Sequence, residues 1–172
     1  MNDALKAILE RRSIRRYRPE QITRAELDAV IEAGMCAASG KNGQSAIIVA
    51  VQDKETRDLL SAMNAAVLGV SSDPFYGAPT VLIVLARASS PYAVEDGSLV
   101  LGNLMNAAKA IGLGSCWINR AREVFDTDEG KALLKKWGIK GEYRGIGNCI
   151  LGYPAEAPAI KPRKDDYVTY VL

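Results

Sequence analysis

The fold is decided by residues 96–120, which read DGSLVLGNLMNAAKAIGLGSCWINR. The first part, 96–111, predicts a helix that is apolar on almost every side. A helix that is hydrophobic all round has no face for water, so it lies in a large core or between subunits. A chain of 172 residues offers limited core to surround such a helix. We therefore expect residues 96–111 to lie at a subunit interface and to lead into a strand at 113–118.

The segments on either side of this stretch alternate between helical and strand patterns. A capping box at 23–26, Thr-Arg-Ala-Glu, marks the start of one helix. Apolar spacing predicts further helices, and short β-branched runs predict buried strands. The predicted helices cover residues 3–11, 24–34, 53–68 and 131–137, and the predicted strands cover 46–51, 79–86, 146–151 and the final residues 167–172. Residues 1–172 thus predict one α+β domain with helices packed on a mixed sheet.

The composition restricts the possible chemistry. The chain contains no histidine, which excludes catalytic triads, Cys–His pairs and His-ligated zinc. If this chain is an enzyme, a cofactor rather than a side chain would therefore carry out the chemically demanding steps. No metal site is expected. The three cysteines are widely spaced in apolar contexts, which indicates reduced, packed thiols. No apolar run is long enough to span a bilayer and the N-terminus is charged, so a cytoplasmic location is the default expectation.

A basic segment follows the first predicted helix at 11–17, Arg-Arg-Ser-Ile-Arg-Arg-Tyr. Arginine forks match phosphate oxygens, and serine and backbone N–H groups complete such a site. A solvated helix end, where cations are also favourable, explains the same residues about equally well. A basic arm for nucleic acid is a third interpretation. The net charge of only +2 and the lack of interleaved aromatic residues disfavour it.

Three further segments carry weaker signals. The loop 38–45 could approach a planar ligand with small and amide side chains, although such residues also dominate ordinary turns. Residues 112–120 could place backbone N–H groups and a flat side chain beside a ring system, although a packed core tryptophan is the commoner case. The cations of Lys161-Pro162-Arg163-Lys164 could be held in place by the proline or could form a solvated charge run.

The order of these segments along the chain is more specific than any one of them. Arg-Arg-Ser-x-Arg at 11–15 follows the first helix, and Ser-x-x-Asn-x-Gln at 39–44 precedes the first strand. The central helix runs into Gly-Leu-Gly-Ser-Cys-Trp-Ile at 112–118, and Leu-Gly-Tyr-Pro at 151–154 and Lys-x-Arg at 161–163 follow. From about Leu5 to Arg163, the chain resembles the FMN-dependent nitroreductase family.

The resemblance implies a three-layer α+β fold with a mixed sheet flanked by helices, assembled as an intertwined homodimer with FMN at the subunit interface. The N-terminal motif would hold the FMN phosphate, ribityl chain and pyrimidine edge through Arg11, Arg12, Ser13 and Arg15. The C-terminal motif would complete the phosphate clamp through Lys161 and Arg163. The partner's loop would lie against the benzenoid end through Ala38 and Ser39, with Asn42 nearby. The strand end would pack one ring face and offer a backbone N–H to N5 through Trp117, Ile118 and Asn119.

The resemblance also implies an activity. FMN would take a hydride from NADH or NADPH, and a small electron-poor acceptor, such as a nitroaromatic or a quinone, would then use the same flavin face. Gln-Ser-Ala at 44–46 replaces the family's Gln-Pro-Trp, Ala38 replaces a proline, and no long helical excursion is present. These departures predict a more open or differently capped site. The alternative function is a flavin-binding or flavin-handling protein without general reductase turnover. Neither a membrane nor a nucleic acid is an expected partner.

Overall fold

The computed structural model describes residues 2–172. Helices and strands follow one another along that part of the chain. The helices are α1 (Asp3–Glu10), α2 (Arg24–Met35), α3 (Lys54–Leu68), α4 (Ala93–Ala110), α5 (Ala121–Asp126) and α6 (Asp128–Lys136), and a 3-10 turn covers Gly40–Asn42. The strands are β1 (Ala46–Val51), β2 (Thr80–Arg87), β3 (Gly114–Ile118) and β4 (Tyr143–Gly152).

The strands form one sheet in the order β1–β2–β4–β3. The α+β class is confirmed, but these strands pair antiparallel where a mixed sheet was expected. Val51 at the end of β1 lies opposite Val81 at the start of β2, so the connection through α3 brings the chain back to the same end of the strands. A crossover to the opposite end of the strands would have made the pair parallel. A parallel contact is present as an isolated bridge between Ser13 and Ser115.

Both faces of the sheet are buried, which produces three layers. Successive side chains of a strand point to opposite faces, and β2 shows this directly. One core contains alternate β2 residues together with side chains of α3, α5 and α6: Val81, Ile83, Leu85, Leu60, Met63, Phe125 and Leu133. The other contains the intervening β2 residues together with side chains of α2 and α4: Leu82, Val84, Leu27, Val30, Leu101 and Leu104.

Local capping explains where α2 and α3 begin and end. The Thr23 hydroxyl accepts the N–H of Glu26, and the Glu26 carboxylate accepts the N–H of Thr23, which confirms the capping box. The Asp53 carboxylate accepts the N–H of Thr56 at 2.8 Å. Gly69 ends α3 with a φ of 76°, a left-handed conformation that glycine adopts at little cost. The predicted bounds of both helices therefore agree with the structure to within one residue.

Three expectations differ from the structure. Helix α5 was not predicted, because six residues are too few to show a helical period. Residues 167–172 form no strand, because no strand of residues 2–172 pairs with them, and their side chains are exposed. Cys116 and Cys149 are buried free thiols as expected, whereas Cys36, at the end of α2, is exposed.

The central helix α4 is buried on only part of its surface. Its sheet side carries Leu101 and Leu104, which are completely buried, whereas Leu99 is 50% and Ile111 at the helix end 43% exposed. Helix α1 packs on α4 and also exposes large apolar side chains: Leu5, Ile8 and Leu9. In one chain, therefore, α1 and α4 leave apolar side chains in water.

Candidate functional site

The basic segment 11–17 lies along β3. The N–H of Ile14 donates to the carbonyl of Ser115 at 3.0 Å, beside the bridge between Ser13 and Ser115. A Cβ at Gly114 would lie 3.0 Å from the Ile14 side chain, so glycine permits this close approach. The contact brings two segments that are far apart in the sequence to one place on the surface.

A cavity of about 270 Å³, here named the basic cavity, opens beside this contact. Its lining includes cations of the first helix end and of α4, with residues of the C-terminal segment: Arg11, Arg12, Lys109, Ser115, Pro154 and Glu156. The Nε of Arg12 is buried without a hydrogen-bond partner among residues 2–172. A buried donor without an acceptor costs about 1–3 kcal/mol. The cavity therefore fits an anionic ligand that would supply the missing acceptor.

Two carboxylates reduce the positive charge of the basic cavity. Glu10 pairs with Lys109 at 3.6 Å, and Glu156 accepts the backbone N–H of Arg15 at 2.5 Å. Arg11 and Arg12 form no ion pair with any of residues 2–172, and the Arg11 guanidinium donates weakly to the sulfur of Met105 at 3.9 Å. These two arginines are thus the cations that remain available to an anion.

A second cavity of about 450 Å³, here named the ring cavity, lies at the end of β3. Its lining includes Arg15, Asp73, Tyr76, Cys116, Trp117, Ile118, Asn119 and Arg120. The Nε1 of Trp117 donates to the Asn119 side chain at 2.8 Å, and the Asn64 amide donates to the Asn119 carbonyl at 2.8 Å. These bonds hold the strand end, so a flat aromatic side chain and a fixed backbone segment border one cavity.

Asp73 holds the loop that borders the ring cavity. Its carboxylate accepts four hydrogen bonds at 2.5–2.8 Å, from Ser61 Oγ, the Arg57 guanidinium and the N–H groups of Phe75 and Gly77. Burial opposes the charge on this carboxylate, but the hydrogen bonds outweigh burial and hold the pKa of Asp73 below its ordinary value. The loop places Tyr76 at a φ of 53°, with its ring centre 5.9 Å from the Arg15 guanidinium carbon.

The loop 38–45 lies elsewhere in the chain, between α2 and β1. Ala38 and Ser39 line a third cavity of about 320 Å³ that shares no lining residue with the basic or ring cavities. Asn42 is exposed in the 3-10 turn. A single chain therefore does not bring Ala38, Ser39 and Asn42 together with the N-terminal segment or with β3.

The C-terminal cations are also separate from the basic cavity. Lys161 and Arg163 are exposed and form no ion pair with any of residues 2–172. The lining of the basic cavity continues along the C-terminal segment to Pro158. One chain thus gathers Arg11, Arg12, Ser13 and Arg15 with Trp117, Ile118 and Asn119, and leaves the other predicted residues apart.

Sequence reasoning missed several residues that position the site: Asn64, Asp73, Tyr76, Asp96 and Arg120. The Asp-Pro pair at 73–74 and the Tyr-Gly pair at 76–77 are turn signals that could have marked the loop at the ring cavity. Asp96 was hidden inside an apolar helical pattern. It is 2% exposed and accepts the N–H of Gly40 at 2.8 Å and the hydroxyl of Ser45 at 2.5 Å.

We expect Asp96→Ala to lower the free energy of unfolding and to loosen the loop 38–45. The change leaves the buried hydroxyl of Ser45 without its acceptor, at a cost of about 1–3 kcal/mol, and removes the acceptor of the half-buried Gly40 N–H at a smaller cost. Urea unfolding measures the cost. Glu95→Ala, at an exposed position of the same helix, is the matched control. Equal stabilities of the two variants would contradict the anchoring role of Asp96.

No group of three or more His, Cys, Asp or Glu residues that could hold a metal ion occurs among residues 2–172. The helices of the described chain also lack the combination of length and apolar character that a membrane crossing requires.

Known proteins resemble this chain in sequence and in fold. The model of the nitroreductase family matches residues 8–72 and 66–153. An FMN reductase [NAD(P)H] of Bacillus subtilis is 27% identical over 95% of this chain and 70% of its own length. An NADPH-flavin oxidoreductase of Vibrio harveyi is 28% identical over 98% of this chain and 72% of its own. The crystal structure of a nitroreductase with bound FMN from Bacteroides fragilis superposes with a TM-score of 0.89 at 29% identity, covering 100% of both chains.

Proposed function

Because the chain belongs to the nitroreductase family, we propose that it is an FMN-dependent oxidoreductase that uses NADH or NADPH. The observation that carries the proposal is that the basic cavity and the ring cavity lie beside neighbouring residues of β3. Ser115 lines the basic cavity, and the next residue, Cys116, lines the ring cavity. FMN has an anionic phosphate at one end and a flat ring at the other, so this arrangement suits it. The visible spectrum of the purified protein, with mass identification of the released cofactor, tests the proposal.

The site residues divide into those that would hold the FMN phosphate and those that would hold its ring. Arg11 and Arg12 would bind the phosphate, and the unpartnered Nε of Arg12 would gain an acceptor. Trp117 and Ile118 would pack one ring face, and Arg15 would place positive charge at the pyrimidine edge, where a cation stabilises negative charge. Bound in this way, FMN supplies hydride transfer between a nicotinamide and an electron-poor acceptor such as a nitroaromatic or a quinone.

We propose further that the working unit is a homodimer. Apolar side chains on α1 and α4 are exposed in one chain, and so is the apolar tail, in which Tyr170 is 80% and Val171 94% exposed. Exposed apolar patches of this kind mark interaction surfaces. A second copy would also explain why Ala38, Ser39 and Asn42 lie apart from the ring cavity of their own chain, since they would complete the site of the partner. Lys161 and Arg163 would be added to the residues that hold the FMN phosphate once the tail is docked.

We expect the reaction to follow ping-pong kinetics. The donor and the acceptor must both use the same exposed face of the flavin in the ring cavity, so the first product has to leave before the second substrate binds. Initial rates measured over a grid of NADH or NADPH and quinone concentrations should give parallel double-reciprocal lines. Intersecting lines would indicate a ternary complex and contradict the shared site. FMN binding without NAD(P)H oxidation by a quinone would instead favour a flavin-handling protein.

None of the three cysteines should be essential for turnover. Cys116 is 2% exposed, so its sulfur is not accessible to a substrate. Burial raises the pKa of Cys149 to about 12, so that thiol is not a thiolate. Cys116→Ser with FMN bound should keep the reductase rate within about twofold of the original, an effect of roughly 0.4 kcal/mol. Cys36→Ser is the exposed control. Loss of activity in an FMN-loaded Cys116→Ser protein would overturn the assignment of the chemistry to the cofactor.

A further inference from the structure

A cavity of about 340 Å³, here named the arginine cavity, lies beside the ring cavity. The two cavities share Trp117, Asn119 and Arg120 in their linings, so these residues lie within reach of a ligand in either one. Two further arginines, Arg122 and Arg144, also line the arginine cavity, and its one acidic residue is Glu123. The walls therefore carry an excess of positive charge.

Close backbone packing sets these arginines side by side. A Cβ at Gly145 would lie 2.2 Å from the carbonyl oxygen of Ala121 and 2.6 Å from the N of Arg122. This approach, which only a glycine allows, brings the start of β4 against the start of α5. Arg144 precedes Gly145, so the backbones of Arg144 and Arg122 are held next to each other.

The partners of the three arginines leave much of their charge available. Arg144 is half-buried and forms no ion pair or side-chain hydrogen bond with any of residues 2–172. Arg122 pairs with Asp126 at 3.6 Å, but the two side chains are 60% and 59% exposed, and such a pair contributes little. Arg120 donates its Nε to the Asn64 side chain at 3.0 Å, which orients the guanidinium without neutralising it.

The backbone of Arg120 supports a role for its side chain. Arg120 has a φ of 74°, in the left-handed region that favours glycine. Backbone strain of this kind concentrates at functional sites, where the surrounding structure maintains it. An arginine is thus held at a strained position beside the ring cavity.

We propose that the arginine cavity binds an anionic group, a phosphate or a carboxylate, of a substrate whose reacting ring lies in the ring cavity. The inference rests on the proposed function, because it assigns a second anchor to a substrate of that same site. Guanidinium groups bind both anions through paired hydrogen bonds. The anion has two possible sources: the 2′-phosphate of NADPH, or the carboxylate of an aromatic acceptor.

The experiment uses FMN-loaded full-length protein, with Arg144→Gln and Arg122→Gln as test variants. Arg24→Gln, at an exposed position of α2, is the matched control. The donor arm compares NADPH with NADH in anaerobic stopped-flow reduction, and compares 2′,5′-ADP with 5′-AMP by calorimetry on the oxidised protein. The acceptor arm compares 4-nitrobenzoate with neutral 4-nitrobenzamide in the oxidation of the reduced protein.

We expect the original protein to prefer the member that carries the additional phosphate or the carboxylate, in one arm, by about tenfold, the equivalent of one contact of about 1.4 kcal/mol. Arg144→Gln should abolish that preference, Arg122→Gln should reduce it, and Arg24→Gln should keep it. A preference confined to the donor arm identifies the 2′-phosphate, and one confined to the acceptor arm identifies the carboxylate. If neither arm shows a preference, or if Arg144→Gln leaves the preference intact, the inference is overturned. Turnover of NADH with 4-nitrobenzamide would still uphold the proposed function in that case. A protein that neither binds added FMN nor oxidises NADH with 4-nitrobenzamide refutes both.

Discussion

Truncation of the chain after Lys164 is expected to produce a monomer that has lost FMN. The removed residues, 165–172, are exposed throughout and form no strand in their own chain, so their loss should cost a monomer almost nothing. In the proposed dimer they cover the partner, where each large apolar side chain that becomes buried contributes about 1.5–3 kcal/mol. Tyr167, Val168, Tyr170, Val171 and Leu172 are the apolar residues removed. The effect is therefore expected on assembly and on cofactor retention together.

Analytical ultracentrifugation and the ratio of flavin to protein absorbance measure the two effects of truncation. The matched control is the full-length double variant Asp165→Ala, Asp166→Ala, which changes polar residues of the same segment and keeps the apolar ones. A truncated protein that remained a dimer with full FMN occupancy would refute the docking of the tail on the partner. A monodisperse, FMN-loaded and active full-length monomer would refute the dimer itself.

The second large effect is expected on FMN affinity. Arg11→Ala and Arg163→Ala should each weaken FMN binding by about 10- to 150-fold, since a hydrogen bond to a charged group contributes about 1.5–3 kcal/mol. Arg11 makes only a weak contact with the Met105 sulfur, so its removal should leave folding almost unchanged. Arg12 is a poorer test, because its guanidinium also donates to the carbonyls of Leu9 and Arg11.

Titration of the apoprotein with FMN, followed by the quenching of flavin fluorescence, measures these affinities. Arg16→Ala is the matched control, because Arg16 belongs to the same basic segment but is absent from the lining of the basic cavity. Thermal unfolding of each apoprotein separates lost binding from lost folding. If Arg11→Ala and Arg163→Ala both bind FMN as tightly as Arg16→Ala does, the assignment of these residues to the phosphate is wrong.

Local patterns in the sequence predicted much of the secondary structure. The Thr23 capping box, the Asp53 cap and the β-branched run 46–51 act over three to six neighbouring residues, and each element formed where its pattern indicated. Helix α5 was not predicted, because its six residues are fewer than the window over which a helical period can be recognised. The order of the motifs along the chain indicated the family without any information on tertiary contacts, because motif spacing follows the order of elements along the chain.

Strand direction and cavity composition depended on contacts between distant residues. Nothing local to Ser13 or to Ser115 predicts their pairing, and the antiparallel return of β2 along β1 depends on how α3 packs on the sheet. The hydrogen bonds that converge on Asp73 and on Asp96 likewise link residues on separate elements. A sequence pattern reports which face of an element is apolar, but not which other element covers that face.

The sequence by itself determined that this protein lacks histidine chemistry, carries arginines suited to a phosphate and contains a helix with apolar residues on almost every side. Tertiary structure alone decided that Arg11 and Arg12 border one cavity with an unpartnered buried donor, that Trp117 borders the next, and that the loop 38–45 lies apart from both. The physical reason is range. Capping and hydrophobic periodicity act between near neighbours, whereas a binding site forms where packing brings distant segments within hydrogen-bond distance of a common ligand.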